Sequence, residues 1–155
     1  MQLRPYEPAD LAPLVALWHE TKRRAYPYLA TEQSYTLETD TRFFREHVLP
    51  RCEIHVAALG QELQGFLALS PSRPRGYVDR LYVHPQRQRA GVGRALLEKA
   101  KALSPRGLEL HTHQQNVSGC SFYERHGFRP VRFGTSGPPE SAPDVLYRWE
   151  PRAEA

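Results

Sequence analysis

The sequence predicts a mixed α/β fold: a central, mostly antiparallel sheet of about seven strands with four helices, in one domain spanning residues 1–155. Three observations predict it. Asp79 to His84 is β-branched and aromatic, and it passes through a basic glycine loop into a helix-periodic segment. A second strand-to-helix unit follows between Leu108 and Phe128. Ahead of both, Ile54–Leu59 and Gly65–Leu69 flank the tight turn Gly60-Gln61-Glu62 and read as a hairpin.

In chain order, Leu3 to Tyr6 is a short strand. Asp10 caps a first helix, Pro13 is tolerated in its first turn, and Leu11, Leu14, Val15 and Trp18 form its apolar stripe. His19, Lys22, Arg23 and Arg24 fall on the solvated side and end. Tyr26-Pro27-Tyr28-Leu29 breaks that helix. A second helix, capped by Thr39 or Asp40, buries Phe43, Phe44, His47 and Val48, and Pro50 ends it. After the hairpin, Pro71 to Gly76 is a loop and Tyr77 opens the next strand. That strand stops near His84, because Pro85 cannot donate to a ladder. Leu96, Leu97, Ala100 and Leu103 give the third helix its stripe. Leu108–His113 is a strand, and a fourth helix runs from Val117 to His126 between the cap Asn116 and the terminating Gly127. Pro130–Phe133 is a strand, Gly134–Pro143 a long Gly/Ser/Pro loop, and Val145–Trp149 closes the sheet.

The segment Gln88-Arg89-Ala90-Gly91-Val92-Gly93-Arg94 opens the third helix. A helix N-terminus presents unpaired N–H groups and the positive end of the dipole, which together attract phosphate. Gly91 and Gly93 carry no Cβ, and Arg87, Arg89 and Arg94 add positive charge. Pyrophosphate binding is the chemistry this suits; an ordinary strand-to-helix turn with a solvated basic face is the alternative. The loop lacks a Gly-Lys-Ser/Thr ending, so it is no P-loop, and no early G-x-G-x-x-G marks a dinucleotide fold.

Together, Gln88-x-x-Gly91-x-Gly93 and Asn116-x6-Tyr123-Glu124-Arg125-His126-Gly127-Phe128 resemble the two cofactor motifs of the GNAT superfamily of N-acetyltransferases. The resemblance covers about half of the chain, and the element order on either side fits. It implies a sheet splayed between the fourth and fifth strands, with the pantetheine arm of acetyl-CoA lying in the wedge. The matching backbone is Leu81-Tyr82-Val83. The pyrophosphate would lie on the N–H groups of Arg89, Ala90, Gly91, Val92, Gly93 and Arg94, with Gln88 at the family's Gln/Arg position. Arg89 stands where the family often has Gly, a departure tolerated because the backbone makes the contact. Asn116 matches the Asn that contacts the cofactor arm. Tyr123 matches the general acid that protonates the departing thiolate, a role that a phenol of pKa near 10 suits. A backbone N–H near Val83 would polarise the carbonyl.

The base that deprotonates the amine stays open among several groups. Asp79 lies where some family members carry an acidic base or a water-holding carboxylate; a salt bridge with Arg80 is the alternative. His111 and His113 alternate onto one face of the fifth strand and titrate near neutrality. Without a third ligand they make no metal site, and none is expected. Tyr26, Tyr28 and Tyr35 lie in the loop that borders the family's acceptor site, or pack over the core edge. His84-Pro85 is structural.

Composition sets the remaining bounds. The 155 residues are enough for one packed core. A net charge of +4, spread without a basic block, suits a polyanionic cofactor and does not point to nucleic acid. Two cysteines, Cys52 and Cys120, make no disulfide framework and read as buried free thiols. No apolar run reaches membrane-spanning length and no signal-peptide core is visible, so a cytoplasmic protein without membrane partners is expected. The function expected from the resemblance is direct acetyl transfer from acetyl-CoA to a primary amine of unknown identity. A non-catalytic acyl-CoA-binding module is the alternative, and a homodimer follows family habit.

Overall fold

The computed structural model describes residues 1–71 and 74–152. One seven-stranded sheet organises it: β1 (Gln2–Pro5), β2 (Glu53–Leu59), β3 (Glu62–Ser70), β4 (Gly76–Val83), β5 (Leu108–His113), β6 (Arg129–Thr135) and β7 (Pro143–Trp149). Their spatial order is β1-β2-β3-β4-β5-β7-β6. Every neighbouring pair is antiparallel except β4 and β5, which run parallel. The parallel pair touches only at Gly76–Leu108 and Tyr77–Glu109. Past Tyr77 the two strands part, and the sheet opens into the expected wedge.

Two cores cover the sheet. On one face α4 (Val92–Leu103) buries Val92, Leu96, Leu97 and Ala100 against Leu67, Val78, Leu108, Leu110 and Val145. Leu103 leaves that stripe and is exposed. On the other face α1 (Leu11–Ala25) and the turn that follows α3 (Leu37–Phe43) pack Leu14, Val15, Trp18 and Phe44 on Val56, Phe66 and Ala68. Phe44 and Phe66 are fully buried and meet edge to face at 5.9 Å. Truncating either to Ala removes a large apolar surface, a change that typically costs about 3–5 kcal/mol.

The wedge side of the sheet matches the sequence reading closely. The β2–β3 turn is Gly60-Gln61, with Gly60 at φ +62°. Strand β5 has the expected bounds, and α5 (Val117–Arg125) ends one residue early at a His126 cap followed by Gly127 at φ +90°. Strand β6 continues through Gly134 and Thr135, which shortens the final loop to residues 136–142.

The chain before β2 differs more. A short fifth helix, α2 (Ala30–Ser34), forms within the stretch read as loop. Helix α3 starts at Leu37, before the expected caps, because Thr36 and Thr39 exchange side-chain-to-backbone hydrogen bonds. It runs into a π turn at Phe44–Val48. Its buried stripe is Asp40, Phe44 and Val48, at four-residue spacing. Phe43 and His47 lie about a quarter-turn away, exposed, with ring centroids 5.0 Å apart. Lys22, read as solvated, is buried with 4% of its surface exposed. Cys52 and Cys120 are free thiols, half-buried rather than fully enclosed.

Candidate active site

Strand β4 forms the first wall of the wedge. Its ladder with β3 pairs Val83 with Gly65 and Leu81 with Leu67. The His84 N–H donates to the Gln64 carbonyl at 2.7 Å. Hydrogen-bonded and non-hydrogen-bonded pairs alternate along an antiparallel ladder. Leu81 and Val83 therefore turn their N–H and C=O groups away from β3, towards the open wedge. The Val83 carbonyl is taken by the Gln88 side chain, whose Nε2 donates to it at 3.2 Å. The Val83 N–H is left facing the wedge.

A bulge interrupts β4. Ala68 pairs with Arg80 and Leu69 with Val78, so Asp79 is an extra residue. A bulge brings two consecutive side chains to one side of a strand. Arg80 accordingly lies over the rings of Trp18 and Phe43, at 5.3 and 5.4 Å, and pairs with the Asp79 carboxylate. Tyr82 stacks on Phe66 at 5.9 Å on the same face. The salt-bridge alternative for Asp79 is thus realised in the structure. Burial, with Asp79 nearby, pushes the Cys52 thiol up to about 11 and the Tyr77 phenol to about 12.

The basic loop closes the mouth of the wedge. Pro85–Arg87 is a single 3₁₀ turn, Gln88 is extended, and Arg89 is left-handed at φ +68°. Gly91, at φ +86°, caps α4, and a Cβ there would meet nothing within 4 Å. The first intrahelical bond runs from Ala95 N–H to Gly91 C=O, so the N–H groups of Val92, Gly93 and Arg94 precede the ladder. Gly93 serves a different end. A Cβ there would stand 3.2 Å from the Phe122 ring and 3.5 Å from Val83, so its bareness lets α5 approach α4.

Helix α5 brings the second motif to the wedge. Asn116 caps it, its Oδ1 accepting from Gly119 N–H at 3.2 Å and its Nδ2 donating to Thr112 Oγ1 at 3.4 Å. Tyr123 lies among Phe122, Phe128 and Tyr147, with centroids 5.2, 5.7 and 6.2 Å away. Burial, helped by the neighbouring Tyr82 and Cys120, pushes its pKa well above that of a free phenol. The hydroxyl is thus held protonated at neutral pH.

The other wall faces α1 and α2. His113 lies between Tyr26 and Tyr28, with ring centroids at 4.7 and 6.3 Å. His111 shares a 2.7 Å hydrogen bond with the Tyr77 hydroxyl. Burial lifts the Tyr26 phenol well above its ordinary value and lowers the His113 imidazole. Behind this wall Lys22 Nζ bonds Asp40 at 2.9 Å and Glu32 at 3.1 Å and lies over the rings of Trp18 and Tyr35. His19 Nδ1 meets the second Asp40 oxygen at 2.6 Å. Tyr35 reaches Glu140 of the final loop at 3.4 Å. These polar ties fix the loop between α1 and α3. Neither the Lys22 cluster nor the reach to Glu140 was visible in the sequence, where Lys22 reads as one of several helix-end cations.

Among the described residues no group of three or more His, Cys, Asp or Glu side chains is placed to hold a metal. No helix there is long and apolar enough to cross a membrane.

A mixed sheet split between two parallel strands, with a helix N-terminus at the mouth and a half-buried tyrosine on the facing helix, defines a class of acyl-transferring enzymes. The model of the Acetyltransferase (GNAT) family matches residues 15–128, and the chain belongs to that family. Peptidyl-lysine N-acetyltransferase YjaB of Escherichia coli (strain K12) is 31% identical over 117 residues, 75% of this chain and 74% of that protein. Spermidine N(1)-acetyltransferase of Thermoplasma acidophilum is 26% identical over 142 residues, 83% and 88% of the two chains. Among solved structures, the apo form of YjaB from Escherichia coli superposes with a TM-score of 0.77 at 22% identity, covering 96% of each chain. The PaiA N-acetyltransferase from Thermoplasma acidophilum, in complex with coenzyme A, gives 0.75 at 22% identity over 96% of this chain and 98% of that one. These likenesses show the fold.

Proposed function

We propose that this protein transfers an acetyl group from acetyl-CoA directly to a primary amine. The observation that carries the reading is the wedge: the Val83 N–H and the Leu81 backbone face into it, a helix N-terminus stands at its mouth, and the Tyr123 phenol backs it. The pantetheine arm adds to β4 as a strand would, along Leu81-Tyr82-Val83. Gln88, Arg89, Ala90, Gly91, Val92, Gly93 and Arg94 receive the pyrophosphate, and Gly91 leaves open space for it. Asn116 borders the arm from the cap of α5. The Val83 N–H polarises the thioester carbonyl as negative charge develops on its oxygen. Tyr123 gives its proton to the departing sulfur. Asp79, tied at the bulge to Arg80, which lies over Trp18 and Phe43, holds the acceptor wall.

The test is calorimetric titration with acetyl-CoA, with desulfo-CoA and ATP as controls, followed by thiol release with candidate amines. The expected outcome is saturable acetyl-CoA binding, no ATP binding, and turnover with at least one amine. Tyr123→Phe should lower kcat on the order of 100-fold with acetyl-CoA affinity unchanged. Unchanged turnover would remove Tyr123 as the acid. Binding without turnover on any amine would make the chain an acyl-CoA-binding module instead.

A further inference from the structure

An amine acceptor arrives largely as an ammonium, and a group in the wedge has to take its proton before the nitrogen can attack. Three candidates are already engaged. The Asp79 carboxylate pairs with Arg80. His111 Nδ1 bonds Tyr77. The Tyr123 phenol is held in its protonated form.

His113 is placed differently. Its Nδ1 is shut off from water and has no hydrogen-bond partner among the described residues. Its ring sits against Tyr26 and Tyr28, two side chains of the loop that forms the acceptor wall. In the β5–β7 ladder His113 stands directly opposite Asp144, so both side chains emerge on one face. Among the described residues no other imidazole of the wedge combines a free ring nitrogen with a facing carboxylate.

We infer that His113 takes the proton from the incoming ammonium, with Asp144 across the ladder steadying the imidazolium. The inference rests on the acetyl-transfer reading above and assigns one step of it. The ammonium N–H bond breaks and its proton passes to the imidazole at Nε2, the ring nitrogen that is not shut off, which later returns it to solvent. The freed lone pair attacks the thioester carbon; the C–N bond forms and the C–S bond breaks. Tyr123 protonates the sulfur, and the second proton shed by nitrogen restores the phenol through solvent.

The charged and titratable surroundings suit this step. Burial lowers the His113 pKa, while Asp144, Glu140 and Glu32 pull it back up. The ring is therefore neutral at pH 7 and becomes a stabilised cation when it accepts a proton. Asp144 touches no reacting atom in this scheme and is a positioning residue.

The experiment follows kcat/KM across pH by thiol release, using acetyl-CoA with spermidine and with a lysine-containing peptide as probes. Wild type should show a rate that rises with pH through one ionisation. NMR of ¹³C-labelled histidine should place the His113 pKa at that same ionisation. His113→Gln should lose this limb and drop kcat/KM at pH 7 on the order of 100-fold, with acetyl-CoA affinity unchanged by calorimetry. Asp144→Asn removes a charge that favours the imidazolium, so it should move the ionisation to lower pH. A His113→Gln profile that overlays wild type overturns the inference and leaves acetyl transfer standing. Wild type that binds no acetyl-CoA, or releases no thiol with either amine, overturns both. If His113→Gln does not fold, the two wild-type ionisations decide: coincidence supports the base, divergence overturns it.

Discussion

The two walls of the wedge are built in different ways. On the β4 side the groups that face the opening are backbone: the N–H of Val83, the N–H groups opening α4, and the left-handed turn at Gly91. Opposite them, the 26–48 segment is fixed by side chains that meet across long sequence distances. Lys22 bonds Asp40 and Glu32, and Tyr35 reaches Glu140, 105 residues away. A backbone wall tolerates side-chain drift and suits a cofactor that never changes. A side-chain wall can be rewritten residue by residue and suits an acceptor that differs between relatives.

Three substitutions test this contrast. The largest expected effect is on the side-chain wall. Lys22→Ala leaves Asp40 and Glu32 without their buried cation, a loss that typically costs about 3–5 kcal/mol. Urea unfolding should show it, while calorimetry finds acetyl-CoA affinity unchanged; a loss below about 1 kcal/mol would mean the cluster does not hold the loop. On the backbone wall, Gly91→Glu places negative charge at a left-handed position of the loop proposed to receive the pyrophosphate. It should weaken acetyl-CoA binding about 1,000-fold, or about 4 kcal/mol, and unchanged affinity would remove the loop from the site. Arg89→Gly is the mildest. It relieves a left-handed arginine at φ +68°, worth about 1 kcal/mol, and gives back part of that as chain entropy. A net gain of about 0.5 kcal/mol is expected, with acetyl-CoA affinity nearly unchanged because the proposed contact is backbone. A large loss of affinity would show that the arginine side chain does the binding.

The same division explains what could be read beforehand. Local signals wrote the backbone wall: Pro85 stops β4, Gly91 turns left-handed, Asn116 caps α5 and Gly127 ends it. Each acts within a few residues of its effect. The side-chain wall depends on partners far apart in sequence, so Lys22 reads as a solvated helix-end lysine and α2 as a loop. Phe43 and His47 failed for a subtler reason. The burial stripe of α3 passes through Asp40, a charged residue that reads as surface until Lys22 and His19 are seen beside it. The facing of Asp144 and His113 needs the β5–β7 register, which no local pattern encodes.

The bulge at Asp79 reaches further than the local pair with Arg80. A strand alternates with parity two, so odd and even positions keep their faces along its length. The extra residue resets that parity once. Val78 before it and Leu81 after it both face the α4 core, while Tyr77, Asp79, Arg80 and Tyr82 crowd the opposite face. Strand β4 is thus two half-strands in opposite phase, and single-residue length changes between Tyr77 and Tyr82 are forbidden in a way that those in the 136–142 loop are not. One inserted residue converts a strand that would divide its polar groups evenly into one that carries nearly all of them on the face away from α4.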